Sequence, residues 1–144
     1  MAKAIFLNDS GLYRICTDSD WTTFQTLIHL PAYQIIDIND DDFNSIKWGT
    51  KHADSYTDTT INYMTGEAEE YADETAFKEE ISIYKTSLVR YQKTQNTWKA
   101  SEVQDTITAL DAIDTAAITY PVNEYFYKWL DDNSVTNIST LQLV

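Results

Sequence analysis

Cysteine, proline and glycine are scarce in this chain of 144 residues, which holds one, two and three of them. A single thiol, Cys16, excludes an internal disulfide, and its setting between Ile15 and Thr17 reads as a buried, inert position in a strand. So few glycines and prolines leave little room for irregular backbone, phosphate-cradling loops or long flexible linkers. Basic residues are also few: 10 against 23 acidic ones, for a net charge of −13. The excess is spread along the chain, −5 over residues 1–65, −2 over 66–100 and −6 over 101–144. No basic patch is visible, so binding to a nucleic-acid backbone is not expected. The same charge is repelled by anionic membrane surfaces. No apolar run reaches membrane-spanning length, and residues 1–7 are too briefly apolar for a signal peptide, so a cytosolic product is expected.

What is present is a folding pattern. Hydrophobic residues make up 43% of the chain, enough for the core of one domain or two small ones. Between residues 67 and 99 an apolar series keeps helical spacing: Phe77, Ile81, Tyr84, Leu88, Tyr91, Gln95, Trp98. Such a stripe lines a packing seam and predicts that Ile81 and Leu88 are both buried. Acids (Glu67, Glu69, Glu70, Asp73, Glu74, Glu79, Glu80) crowd its first half. Bases (Lys78, Lys85, Arg90, Lys93, Lys99) are weighted toward its second, the order a helix dipole favours. Ser101 and Gln104 form a capping-box pattern for a second helix bearing Val103, Ile107, Leu110, Ile113 and Ala117. Tyr120-Pro121 stops that helix.

The flanks are simpler. Residues 4–7 and 12–17 read as strands joined by a turn at Asn8-Asp9-Ser10-Gly11. Ser19 or Asp20 can cap a helix carrying Trp21, Phe24, Leu27 and Ile28, which Pro31 ends. Residues 33–38 and 59–64 are further strands, separated by a short helix that Asn39 caps and Gly49 stops. Asn123 can cap a last helix over residues 124–132, and residues 135–144 are β-branched enough for a strand. The fold class is therefore α+β. A small N-terminal mixed sheet with short helices (1–64) precedes a long helical hairpin (65–119) and a helix-plus-strand docking tail (120–144).

Chemistry is harder to find. Asp37, Asn39 and Asp41 have the spacing of a calcium loop, but Asp42 and Trp48 stand where the glycine and bidentate glutamate belong. A helix start explains the same residues without a metal. His29 and His52 have no companion at zinc spacing, and no serine sits in a sharp glycine-flanked turn, so neither a metal site nor a triad is expected. The reading has no catalytic residue and no cofactor. The candidate site is instead a protein interface. Tyr125, Phe126 and Trp129 crowd a short helix, and Tyr84, Tyr91 and Trp98 lie on the long one; tyrosine and tryptophan are the anchors interfaces use. Core packing is the competing account of the same rings. For the long helix, an intramolecular hairpin is favoured over a homo-oligomeric coiled coil, because it covers the second helix's stripe.

One segment carries a resemblance. Ile36-Asp37-Ile38-Asn39-Asp40-Asp41-Asp42-Phe43-Asn44-Ser45-Ile46-Lys47-Trp48-Gly49-Thr50-Lys51 resembles part of the small tail-fibre assembly proteins of tailed bacteriophages. Those have a strand, a Ser/Asn-Asp-acid-x-aromatic run, an apolar residue and Gly before Lys. They commonly follow this with a helical region carrying Trp, as Trp98 does here. The proline-rich segment of that family is replaced by Asp54-Ser55-Tyr56-Thr57-Asp58-Thr59-Thr60, and residues 125–144 have no counterpart. The resemblance implies a non-enzymatic phage protein that contacts a fibre or other tail component, in the host cytoplasm during assembly or in the virion. A permanent virion protein (head decoration, neck or baseplate-associated) is the alternative, and a small acidic host-interacting protein the third.

Overall fold

Ala2–Leu7 (β1) is the middle strand of a three-stranded antiparallel sheet, between Gly11–Thr17 (β2) and Tyr33–Ile38 (β3). The computed structural model describes residues 1–7, 11–27, 32–94 and 98–139. Strand alternation sends Ala2, Ala4 and Phe6 to one face, where they join Ile15, Ile36 and Ile38 in a buried core. Phe43 and Ile46 of Asp40–Trp48 (α2) pack on this core. So do Tyr56, Ile61 and Tyr63 of the antiparallel hairpin Lys51–Thr57 (β4) and Thr60–Thr65 (β5). Asp18–Phe24 (α1) adjoins β2, and its Phe24 ring lies 4.4 Å from the Arg14 guanidinium carbon. Burial pushes the Cys16 thiol up to about 11, so this buried sulfur stays protonated and unreactive.

The sheet therefore differs from the mixed one expected: all described pairing is antiparallel, in a sheet of three strands and a hairpin of two. Strand β4 has no clear alternating signature, because a bulge between Ala53 and Ser55 breaks the period of two. The cap of α1 is Thr17 rather than Ser19 or Asp20; its hydroxyl accepts from the Asp20 N–H at 3.1 Å. Around α2 the expectation holds: Asn39 Oδ1 accepts from the Asp42 N–H at 2.7 Å, and Gly49 closes the helix at φ 87°. Gly66 is fixed by space, since a Cβ there would lie 1.8 Å from the Gly49 carbonyl oxygen.

The chain divides into two compact units, residues 1–67 and 68–139 among those described. The second is built on Glu74–Lys93 (α3), shorter at both ends than the helix over 67–99. Asp73 starts it by accepting from the Ala76 N–H at 2.9 Å. Glu67, Glu69 and Glu70 therefore lie outside the helix, and Tyr71 makes an antiparallel bridge with Val122 instead. Lys99, at φ 57°, separates α3 from Ala100–Asp111 (α4). The capping box does not form: Ser101 is inside the first turn, and the N-cap Lys99 offers no side-chain bond.

Helices α3 and α4 do form an antiparallel hairpin, tied by Lys85–Asp111 at 2.5 Å and by Gln92 Nε2 donating to Gln104 Oε1 at 2.8 Å. A 3-10 turn, Thr115–Ala117, and Phe126–Asp132 (α5) complete the unit. Residues 120–139 belong to this unit rather than to a separate docking tail, because their aromatics close the core that α3 and α4 leave open. No strand forms over 133–139. The expected turn at 8–10, the helix end at Ile28 and Pro31, His29, Gln95 and the strand residues 140–144 lie outside the described residues.

The seam is real but unequal. Phe77, Tyr84, Leu88 and Tyr91 are buried, whereas Ile81 is only half-buried and lines an open hollow. Leu88→Ala should therefore cost ~2–5 kcal/mol, and Ile81→Ala only about 1 kcal/mol. Urea denaturation of the two variants checks this, and equal losses would contradict the difference in burial.

Candidate functional site

Phe77 is the hub of the second unit. Its fully buried ring sits within 4.8 Å of Trp129, 5.4 Å of Tyr71, 5.7 Å of Phe126 and 6.4 Å of Tyr120, centroid to centroid. These are edge-on contacts, the geometry that aromatic quadrupoles favour. The cluster extends along α3 to Tyr84, whose ring lies 6.1 Å from Phe126 and 5.1 Å from Tyr127. Tyr84 Oη also accepts from the Ile138 N–H at 2.9 Å, holding the chain beyond α5 against α3.

A carboxylate clasps the other end of α5. The N-cap Tyr125 makes no side-chain capping bond, and neither does the expected cap, Asn123. Glu69, 57 residues upstream, supplies it: its Oε2 accepts from the Phe126 N–H at 2.8 Å and from the Tyr71 hydroxyl at 3.0 Å. An anion there also complements the helix dipole. Paired bonds between Tyr71 and Val122, at 2.8 and 2.9 Å, fasten the same two segments through their backbones. Burial, then the nearby carboxylates of Glu80 and Glu69, raises the Tyr71 phenol. The same causes push Tyr127 up to about 12. Both phenols stay neutral at physiological pH.

The structure sorts the six expected interface residues into two sets. Tyr84, Tyr91 and Phe126 are 3%, 5% and 2% exposed and pack inside their own unit, so they are corrected from interface to core. Tyr84 and Phe126 are buried against each other because α5 folds back on α3, whereas Tyr91 is buried at the other end of the hairpin, beside Trp98. Tyr125, Trp129 and Trp98 remain half-buried. Trp98 lies at the far end of the hairpin, where its carbonyl accepts from the Tyr91 hydroxyl at 2.8 Å.

Trp129 lines a hollow. Two open cavities of about 420 and 430 Å³ share Trp129, Ala117, Ile118 and Asn133. The first continues along Ala112, Ile113 and Val135, and is mainly apolar. Phe77 packs edge-on against the indole at 4.8 Å, so the same ring that lines the groove is held by the core. The sequence shows the tryptophan; it does not show the wall at 112–118, whose small side chains read as the tail of a helix.

For other chemistry, the described residues contain no group of three His, Cys, Asp or Glu placed to hold a metal. Asp37, of the loop weighed for calcium, pairs with Lys3, and Asn39 is occupied as a cap. Among the described residues no helix is long and apolar enough to cross a membrane. Comparison with protein families, curated proteins and solved structures yields no match.

Glu80 gives a pH-dependent test of the clasp. Burial, then repulsion from Glu69 and Glu79, raises its carboxyl above the ordinary value. The native state therefore holds this proton to higher pH than the unfolded chain, and stability falls as pH rises through that interval. Glu80→Gln should raise the thermal midpoint at pH 7, with the gain vanishing below the unfolded glutamate value of about 4.3. Melting curves at several pH values check this; a gain that persists at pH 3 would contradict a charge origin.

Proposed function

We propose that this is a non-enzymatic protein of a tailed bacteriophage, acting through protein–protein contacts in tail or tail-fibre assembly. The observation that carries the reading is the groove at Trp129. A half-buried tryptophan clamped by Phe77, beside an apolar wall of Ile113, Ala117 and Ile118, is the kind of pre-set anchor that dominates binding energy at interfaces. The resemblance of residues 36–51 to fibre-assembly proteins supports the phage setting. The acidic balance of 23 acids against 10 bases suits contact with other proteins better than with nucleic acid.

Ala117→Arg tests the groove without emptying the core, because Ala117 is exposed on its rim. Its stability should stay within about 0.5 kcal/mol of the parent, as for ordinary surface changes. The tagged parent chain, recovered from phage-infected cells, is expected to bring down a fibre or other tail protein identified by mass spectrometry, and the variant to lose it. Recovery of head proteins alone, or of no phage protein, would reject the assignment to the tail. Mass spectrometry of purified particles then distinguishes an assembly factor, absent from the virion, from a resident subunit.

A further inference from the structure

In a chain with more than twice as many acids as bases, one side of α3 is basic. An open concavity of about 620 Å³ is lined, among the described residues, by α3 alone, with Lys78, Lys85, Arg90 and Lys93 around Ile81 and Val89. Four of the chain's 10 bases thus share one helix face, and among the described residues no acid lines it. Their spacing over 16 residues brings them together only once the helix forms, which is why no basic patch is visible in the sequence. The helix dipole accounts for cations in the last turn, Arg90 and Lys93, but its effect fades before Lys78 and Lys85. Lys78 is paired with Glu74 and Lys85 with Asp111. Arg90 and Lys93 have no ion-pair partner among the described residues.

We propose that this face docks an acidic amphipathic helix of a partner protein, its aliphatic side chains against Ile81 and Val89 and its carboxylates against the flanking bases. The inference rests on the reading of the protein as one that works by protein contacts, and gives one partner surface its chemistry. A helix fits because Ile81 and Val89 lie about 12 Å apart along α3, two turns, so a parallel or antiparallel helix matches them with residues of one stripe. Nucleic acid is disfavoured by the apolar floor and by the net charge of −13. A second copy is disfavoured too, since two copies repel by charge. The acid-bearing helices α1, α2 and α4 already spend their apolar sides on their own units, through Phe24, through Phe43 and Ile46, and through Val103, Ile107 and Leu110.

The probe is a synthetic amphipathic helix of about five turns, leucine on one stripe and glutamate elsewhere, with a lysine-for-glutamate twin, read by fluorescence anisotropy against the full chain. The acidic peptide should bind the parent in a salt-sensitive manner. Arg90→Glu with Lys93→Glu should weaken it by about tenfold or more, and the same variant should now prefer the lysine twin. Circular dichroism confirms that the variant keeps its helix, and the neutral pair Arg90→Gln with Lys93→Gln should fall between. Equal binding of parent and reversed variant, or no binding at all, overturns the proposal. Tighter binding of a duplex oligonucleotide than of the peptide would make the face a phosphate site, and a parent dimer lost in the variant on sedimentation would make it a self-contact; either result overturns it. Because the assay uses neither phage nor the Trp129 groove, its failure leaves the pull-down with Ala117→Arg standing or falling separately.

Discussion

Phe77 occupies no solvent-accessible surface, and four aromatic rings from three stretches of chain converge on it. Two helices alone would leave this ring as one apolar side of an incomplete core. The third layer comes from residues 120–139, and it arrives only because Glu69 and Tyr71 pin the approach to α5 before the helix begins. Burying an aromatic side chain such as Phe77 or Phe126 contributes roughly 1.5–3 kcal/mol each, more than a single hydrogen bond returns. A seven-residue helix is too short to persist by itself. Helix α5 therefore exists because the hub needs it, and the groove at Trp129 exists because α5 is held there. The hollow at the surface and the core beneath it thus depend on the same ring contacts.

The first unit answers to a different constraint. Its sheet has small residues, Ala2 and Ala4, on the central strand, which lets α2 and the β4–β5 hairpin approach closely over Phe6. The segment resembling fibre-assembly proteins lies here, and its distinctive positions all have structural duties: Asn39 caps, Phe43 and Ile46 pack, and Gly49 turns the chain left-handed. Asp42 reaches Lys51 at 2.8 Å, tying the helix start to the strand after it. What the segment encodes most directly is a strand–helix–strand unit with a sharp stop.

Elements governed by local rules were legible in the chain. Strand β3, the Asn39 cap, the Gly49 stop and the stripe through Phe77, Tyr84, Leu88 and Tyr91 follow from period and capping chemistry, which neighbours in sequence supply. What could not be read depends on partners far along the chain. The cap of α5 comes from Glu69, 57 residues away, so the local candidate Asn123 was the wrong one. Acids at 67–70 look like a helix start until the Tyr71–Val122 bridge takes that backbone. The rings of Phe126 and Tyr84 look like surface anchors on a short helix and on a long one; only their contact shows that each buries the other. In the candidate site, Trp129 was visible as a residue type and its groove was not.

Charge and core are coupled in the same way on α3. The inner side of this helix is neutral and aromatic, and the acids that would balance its outer lysines sit mostly before the helix or in its first two turns. Glu69, itself exposed, caps α5; Glu80 is half-buried on α3, and both raise the neighbouring phenols. The acids of α3 lie in its first two turns, so Arg90 and Lys93 face solvent at the helix end with no acid on the same turn. The chain as a whole carries a net charge of −13, so the bases on this face are a local exception, and in salt their field is confined to within about a Debye length of the helix.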